Sequence, residues 1–75
     1  MRLDKFLKLS GIVKRRSVAA EMIRDERVYL NGERAKPSKE VKEGDKIKVL
    51  FSNRVVEFKV LSVGKSKRDI RVEEW

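Results

Sequence analysis

Cysteine and histidine are both absent from the 75 residues. Without cysteine there is neither a disulfide nor a thiolate metal site to staple the fold. Without histidine the commonest general base and metal ligand is gone. No apolar run approaches the roughly 20 residues of a membrane span. Charges interrupt every apolar stretch, so no signal-peptide pattern is present either. The expectation is a cytoplasmic protein with no membrane partner. Aromatic residues are few, with three Phe, one Tyr and one Trp. A chain this short reads as one small domain, residues 1–75, that buries only roughly 60% of its unfolded surface. Its stability must come from an economical core of Leu, Ile, Val and Phe.

Charge, by contrast, is abundant and one-sided. Twenty Lys and Arg face 12 Asp and Glu, for a net charge of +8. Residues 1–39 carry a net +6 and residues 40–75 a net +2. Such a balance points to a polyanionic partner. Solubility or heat tolerance would also raise the charged fraction, but neither explains the clustering in the front half.

Taken in order, Leu3, Phe6, Leu7 and Ser10 fall at i, i+3, i+4 and i+7, one face of a helix. Asp4 lies in its first turn, where a carboxylate suits the helix dipole. Gly11 is the expected cap at its end, and Ile12 and Val13 turn inward at the corner. Lys14-Arg15-Arg16 follows, three adjacent cations that repel one another unless an anion sits nearby. Ser17 is the expected N-cap of a second helix, in which Val18, Ala19, Met22 and Ile23 share the inner side. That helix ends near Asp25. Val28-Tyr29-Leu30 reads as a strand, and Asn31-Gly32 as a turn. Pro37 and Ser38 break any regular ladder. Residues 46–51 and 54–60 alternate about a Ser52-Asn53 turn, with Ile47, Val49, Phe51, Val56, Phe58 and Val60 inward. Residues 63–68 form a basic loop, and Ile70-Arg71-Val72 closes the sheet. The fold class is α+β, with two N-terminal helices packed on a small, mostly antiparallel, twisted sheet.

An enzyme is not expected, and neither is a cofactor. No paired carboxylates, metal-ligand spacing or glycine-rich phosphate loop is present. Gly64-Lys65-Ser66 superficially matches the end of a nucleotide-binding loop, but the earlier glycine is missing. A DNA-binding role lacks a long recognition helix with polar base-reading residues.

The ordered set Arg2-Leu3-Asp4-Lys5-Phe6-Leu7, Lys14-Arg15-Arg16-Ser17, Ala19, Ile23, Val28-Tyr29-Leu30-Asn31-Gly32, Lys36-Pro37-Ser38, Val41 and Gly44-Asp45 resembles the S-four RNA-binding domain, also termed the alpha-L motif. The likeness covers about residues 1–50. Within that family the chain is similar to the short stand-alone members of the heat shock protein fifteen and ribosome-associated quality control type. The resemblance implies a noncatalytic, monomeric factor. Its implied partners are the rRNA of a large ribosomal subunit obstructed by peptidyl-tRNA, that peptidyl-tRNA, and a larger tail-directing quality control factor. The implied role is support of C-terminal tailing of stalled nascent chains, or recycling of the blocked subunit. The alternative is an accessory RNA-binding domain of the kind attached to RNA-modifying enzymes, for which the chain offers no catalytic partner. Two departures stand out. Glu26 occupies the place of a usual glycine between the second helix and the strand, so that helix is expected to end differently. The resemblance also leads one to expect a charged C-terminal extension, as in many stand-alone members, and no such segment is found within residues 1–75.

The expected RNA contacts are led by Arg2, Arg15 and Arg16, because a guanidinium binds two phosphate oxygens at once. Lys5, Lys8 and Lys14 extend the patch as backbone contacts. Asp4 either orients Arg16, accepts from a ribose or base, or is a plain first-turn carboxylate. Ser17 caps its helix or helps to hold a phosphate, with the cap favoured. Asn31 reads RNA or makes its turn, with the turn favoured. Arg34 and Lys36 line the same groove, and Tyr29 either stacks on a base or is a half-exposed strand residue. Phe6, Phe51 and Phe58 are expected in the core. Lys65, Lys67 and Arg68 are expected in a solvated loop with a minor electrostatic role. Trp75 either stacks or covers an apolar edge.

Overall fold

Leu3, Phe6 and Leu7 recur at helical spacing, and all three are fully buried on the inner face of α1 (Leu3–Leu9) in the computed structural model, which describes residues 1–74. The readings of Trp75 fall outside the described residues. Gly11, at φ +83°, lets the chain leave α1 in the left-handed region that a glycine enters without strain. Val13 then closes the corner by donating its N–H to the Leu7 carbonyl at 3.1 Å. It is buried, while Ile12 packs against the core from its edge.

The second helix, α2 (Arg16–Arg24), starts two residues earlier than expected. Arg15, in extended conformation, is its N-cap, and the Arg15 carbonyl accepts the first helical bond from Ala19. Ser17 is therefore inside the first turn and exposed, and caps nothing. The buried side of α2 consists of Ala19, Ala20 and Ile23. Val18, expected inward, is 42% exposed, because at 3.6 residues per turn it lies about 140° around the helix from buried Ile23.

At the end of α2 the expected difference does not occur. Glu26 takes φ +62°, the conformation a glycine would have taken. Its N–H reaches the Ile23 carbonyl at 3.1 Å, and the Arg27 N–H reaches Met22 at 3.0 Å. This is the paired C-terminal cap of a Schellman motif. The helix ends as a glycine would end it, and Glu26 carries the strain, about 1 kcal/mol. Its carboxylate receives Arg34 Nη1 at 2.8 Å, but both groups are largely exposed, so the pair offsets little. Glu26→Gly is expected to raise stability by roughly 0.5–1 kcal/mol, read as a higher urea midpoint. A lower midpoint would show that the pair with Arg34 outweighs the strain.

The sheet follows the alternation in the sequence. Strands β1 (Val28–Leu30), β2 (Glu33–Arg34), β3 (Lys46–Leu50), β4 (Val55–Ser62) and β5 (Arg71–Glu74) lie in the order β2-β1-β3-β4-β5, and each neighbouring pair is antiparallel. Asn31 and Gly32, at φ +53° and +83°, make the two-residue turn that pairs Leu30 with Glu33. The register brings Val28 against Val49, Ile47 against Phe58, and Val60 against Val72 on the inner face. The helices cover that face, and Phe6 and Phe58 are the largest fully buried side chains of the shared core. Phe51 is only half-buried, with the Arg54 guanidinium 5.3 Å from its ring centre. Among the described residues no helix is long and apolar enough to cross a membrane.

Candidate nucleic-acid interface

The first turn of any α-helix leaves N–H groups without partners inside the helix. In α1 three of them are accounted for. Leu3 donates to the Lys39 carbonyl at 2.8 Å and Asp4 to the Pro37 carbonyl at 3.1 Å. Lys5 donates to Asp4 Oδ1 at 2.7 Å. The segment supplying these carbonyls also forms a strand-like bridge from Arg2 to Glu40, in which Val41 donates to the Met1 carbonyl. The Met1 ammonium pairs with the Glu40 carboxylate and holds it below its usual range. The turn around Lys36-Pro37-Ser38 thus docks the front of the chain and fixes where Arg2 stands. Nothing in the local spacing of either segment discloses that pairing.

Asp4 is the one buried charged residue among the described residues, at 4% exposure. A buried carboxylate is tolerated when it is paired and hydrogen-bonded. Besides the Lys5 N–H, Asp4 faces two guanidiniums: Arg2 Nη2 lies 3.3 Å from Oδ2, and Arg16 Nη2 lies 3.4 Å from Oδ1. Both arginines are about half exposed. Each has donors left for a ligand, since a guanidinium carries five N–H groups. Two of the three readings of Asp4 therefore hold together in the geometry: it is a first-turn carboxylate, and it positions Arg16 and also Arg2.

These groups face an open depression of about 660 Å³ lined by Met1, Arg2, Lys5, Arg16, Val63, Gly64 and Lys65. Four of its lining residues are cations, against the single carboxylate of Asp4. The excess is a built-in preference for anions. Lys65 is exposed, in line with the solvated loop expected from the sequence. The same loop also borders the depression beside Arg2, Lys5 and Arg16, a closeness that local spacing does not disclose.

The Lys14-Arg15-Arg16 run does not act as a unit. Arg16 turns toward Asp4, whereas Lys14 and Arg15 line a separate groove of about 480 Å³ with Val13, Val18, Met22 and Phe51. Lys8 is exposed in the last turn of α1. Asn31 spends its side chain within the protein: Nδ2 donates to Asp45 at 3.0 Å, and Oδ1 accepts the Lys46 N–H at 2.9 Å. That is the turn-making role favoured from sequence. Arg34 and Lys36 share a depression of about 350 Å³ with Asn31, Glu33, Ser38 and Lys39. This second basic surface adjoins the first through the docked segment 37–41. Lys39 belongs to it and was not among the expected residues. Tyr29 is half-buried on the outer face of the sheet, opposite Lys48 and Arg34.

Known proteins resemble this chain in both sequence and fold. The family model described as the S4 domain matches residues 1–47. The chain is 42% identical over 74 residues to the RQC P-site tRNA stabilizing factor of Halalkalibacterium halodurans, covering 99% of this chain and 81% of that one. It is 48% identical over 63 residues to the protein of the same description from Helicobacter pylori strain J99, covering 84% and 75%. A trimeric structure of Vibrio cholerae heat shock protein 15 superposes with a TM-score of 0.89 at 28% identity, covering all of this chain and 81% of that one.

Proposed function

The chain belongs to the S4 domain family, and from that premise we propose that it is a noncatalytic RNA-binding factor of ribosome-associated quality control. It binds the large ribosomal subunit that still holds peptidyl-tRNA and steadies that tRNA; the relatives' name, RQC P-site tRNA stabilizing factor, supports the tRNA part of this reading. One observation carries the reading of the site: buried Asp4 holds Arg2 and Arg16 half exposed beside Lys5, a preset cluster of cations for the RNA backbone. Orienting the arginines before contact lowers the ordering entropy of binding. Lys8, Lys14, Arg15, Arg34 and Lys36 extend the electrostatic footprint around it. Nothing among these side chains forms a set of base readers, which suits a target recognised by shape and backbone. In this reading the protein is a single domain that acts as a monomer in the cytoplasm, contacts rRNA as well as tRNA, and works beside a larger tail-directing factor.

The test is co-sedimentation with large subunits, with and without peptidyl-tRNA, across a salt series. Preference for the blocked subunit is expected, with affinity falling steeply as salt rises. Arg16→Ala is expected to weaken binding about tenfold, the size of one lost charge-assisted contact. Equal binding to every RNA tried, or an unchanged Arg16→Ala variant, would overturn the reading.

A further inference from the structure

The family model ends at residue 47, yet part of the wall of the arginine depression comes from residues 63–65. Those residues leave β4 and enter a loop with an unusual internal anchor. Asp69 is its hub. The Asp69 carbonyl accepts the Ser62 hydroxyl at 2.8 Å, and its N–H donates to the Ser66 carbonyl at 3.0 Å. Its Oδ2 lies 3.3 Å from the Ser66 hydroxyl. Gly64 is pressed against this hub so closely that a Cβ there would lie 2.0 Å from the Asp69 Cβ. Only glycine lets the loop close in this way. The closure sets Lys65 beside Arg2, Lys5 and Arg16 at the rim of the depression, while Lys67 and Arg68 stand on the 3-10 turn beyond and do not line it.

We propose that this depression is the seat of a single RNA backbone phosphate, and that Lys65, delivered by the loop between β4 and β5, is one of its ligands. The inference rests on the RNA-binding reading above and adds to it a contact from outside the family motif. Three features support it. Arg2, Lys5, Arg16 and Lys65 converge on one concavity with only Asp4 to balance them, and Asp4 is already engaged by both arginines and the Lys5 N–H. The concavity is open, and every charged residue that lines it is a cation, which suits the anionic backbone of an RNA. Lastly, the loop backbone is anchored through Asp69, and of its three cations only Lys65 lines the depression.

The comparison is therefore between cations of one loop. Lys65→Ala and Lys67→Ala remove the same charge from neighbouring positions, and Gly64→Ala removes no charge but forces the loop off Asp69. Binding is measured to large subunits with and without peptidyl-tRNA over a salt series. Lys65→Ala is expected to weaken binding about fivefold and to lower the slope of log affinity against log salt by about one. Lys67→Ala is expected to change affinity less than twofold. Gly64→Ala is expected to resemble Lys65→Ala while keeping the full charge. A loss on both particles assigns the phosphate to rRNA, and a loss only on the blocked particle assigns it to tRNA; either supports the seat. Equal effects of Lys65→Ala and Lys67→Ala would overturn it, leaving a diffuse basic loop. If Arg16→Ala weakens binding and Lys65→Ala does not, the seat falls and the function stands. If neither weakens it, both fall.

Discussion

Replacing Arg2 and Arg16 together by alanine is expected to reduce affinity for the blocked large subunit about a hundredfold or more. Each guanidinium can offer a phosphate charge-assisted hydrogen bonds worth roughly 1.5–3 kcal/mol, and roughly 3 kcal/mol in all corresponds to more than a hundredfold. The double variant carries a second penalty. Asp4 keeps the Lys5 N–H but loses both counter-charges in a site where its side chain is 6% exposed. A buried carboxylate stranded in that way costs about 2 kcal/mol of stability. The two effects separate in a triple variant. Adding Asp4→Asn removes the stranded charge, and its side-chain oxygen still accepts the Lys5 N–H. Urea unfolding is expected to show stability recovered, while sedimentation shows binding still lost. Recovery of binding in the triple variant would mean that the double variant failed by unfolding and that the arginines do not touch RNA.

The largest effect on stability is expected from Phe6→Ala. Phe6 is fully buried between Asp4, Lys5 and Lys8 in sequence, and it packs into the core shared by the helices and the sheet. Truncating a buried Phe costs roughly 3–5 kcal/mol through lost transfer energy and the cavity left behind. A 75-residue domain has roughly 4–11 kcal/mol in total. The variant is therefore expected to melt at least about 12 °C lower, at roughly 4 °C or more per kcal/mol for a domain of this size. RNA affinity is expected to fall with the folded fraction, because α1 carries three of the charged groups at the site. A melting temperature within a few degrees of wild type would show that the helix can shift to fill the space.

Much of this fold is legible in the sequence because its signals are local. The spacing of Leu3, Phe6 and Leu7 gives α1, the Asn31-Gly32 pair gives the first hairpin, and alternation through Ile47, Val49, Phe58 and Val60 gives the inner face of the sheet. Local signals also mislead where two residues compete for one role. Ser17 is the better cap by chemistry, but extended backbone at Arg15 starts α2 earlier and leaves Ser17 inside the first turn. Glu26 shows the opposite case: tertiary docking of β1 imposes a left-handed residue on a side chain that resists it. The site was half legible. Arg2, Lys5 and Arg16 stand out from amphipathic spacing and the basic corner, whereas the sequence leaves Arg15 equal to Arg16 and the orienting role of Asp4 as one reading among three. The docking of segment 37–41 and the return of Lys65 do not, since each joins residues far apart in the chain. The separation of Lys14 and Arg15 from Arg16 depends on the side to which each residue of one corner points, and three adjacent cations do not encode that.

The depression that faces Asp4 is walled by residues 1–16 on one side and 63–65 on the other. Closures across such sequence distances come late in folding, after local hairpins and helices. Ribosomes add roughly 5–20 residues per second. A nascent copy thus spends its first several seconds with the arginines made and the lysine that completes their pocket not yet polymerised. Its cations are present early, but their convergence waits for the loop after β4. The four-cation geometry of the depression therefore exists only in a chain that has been made past residue 65.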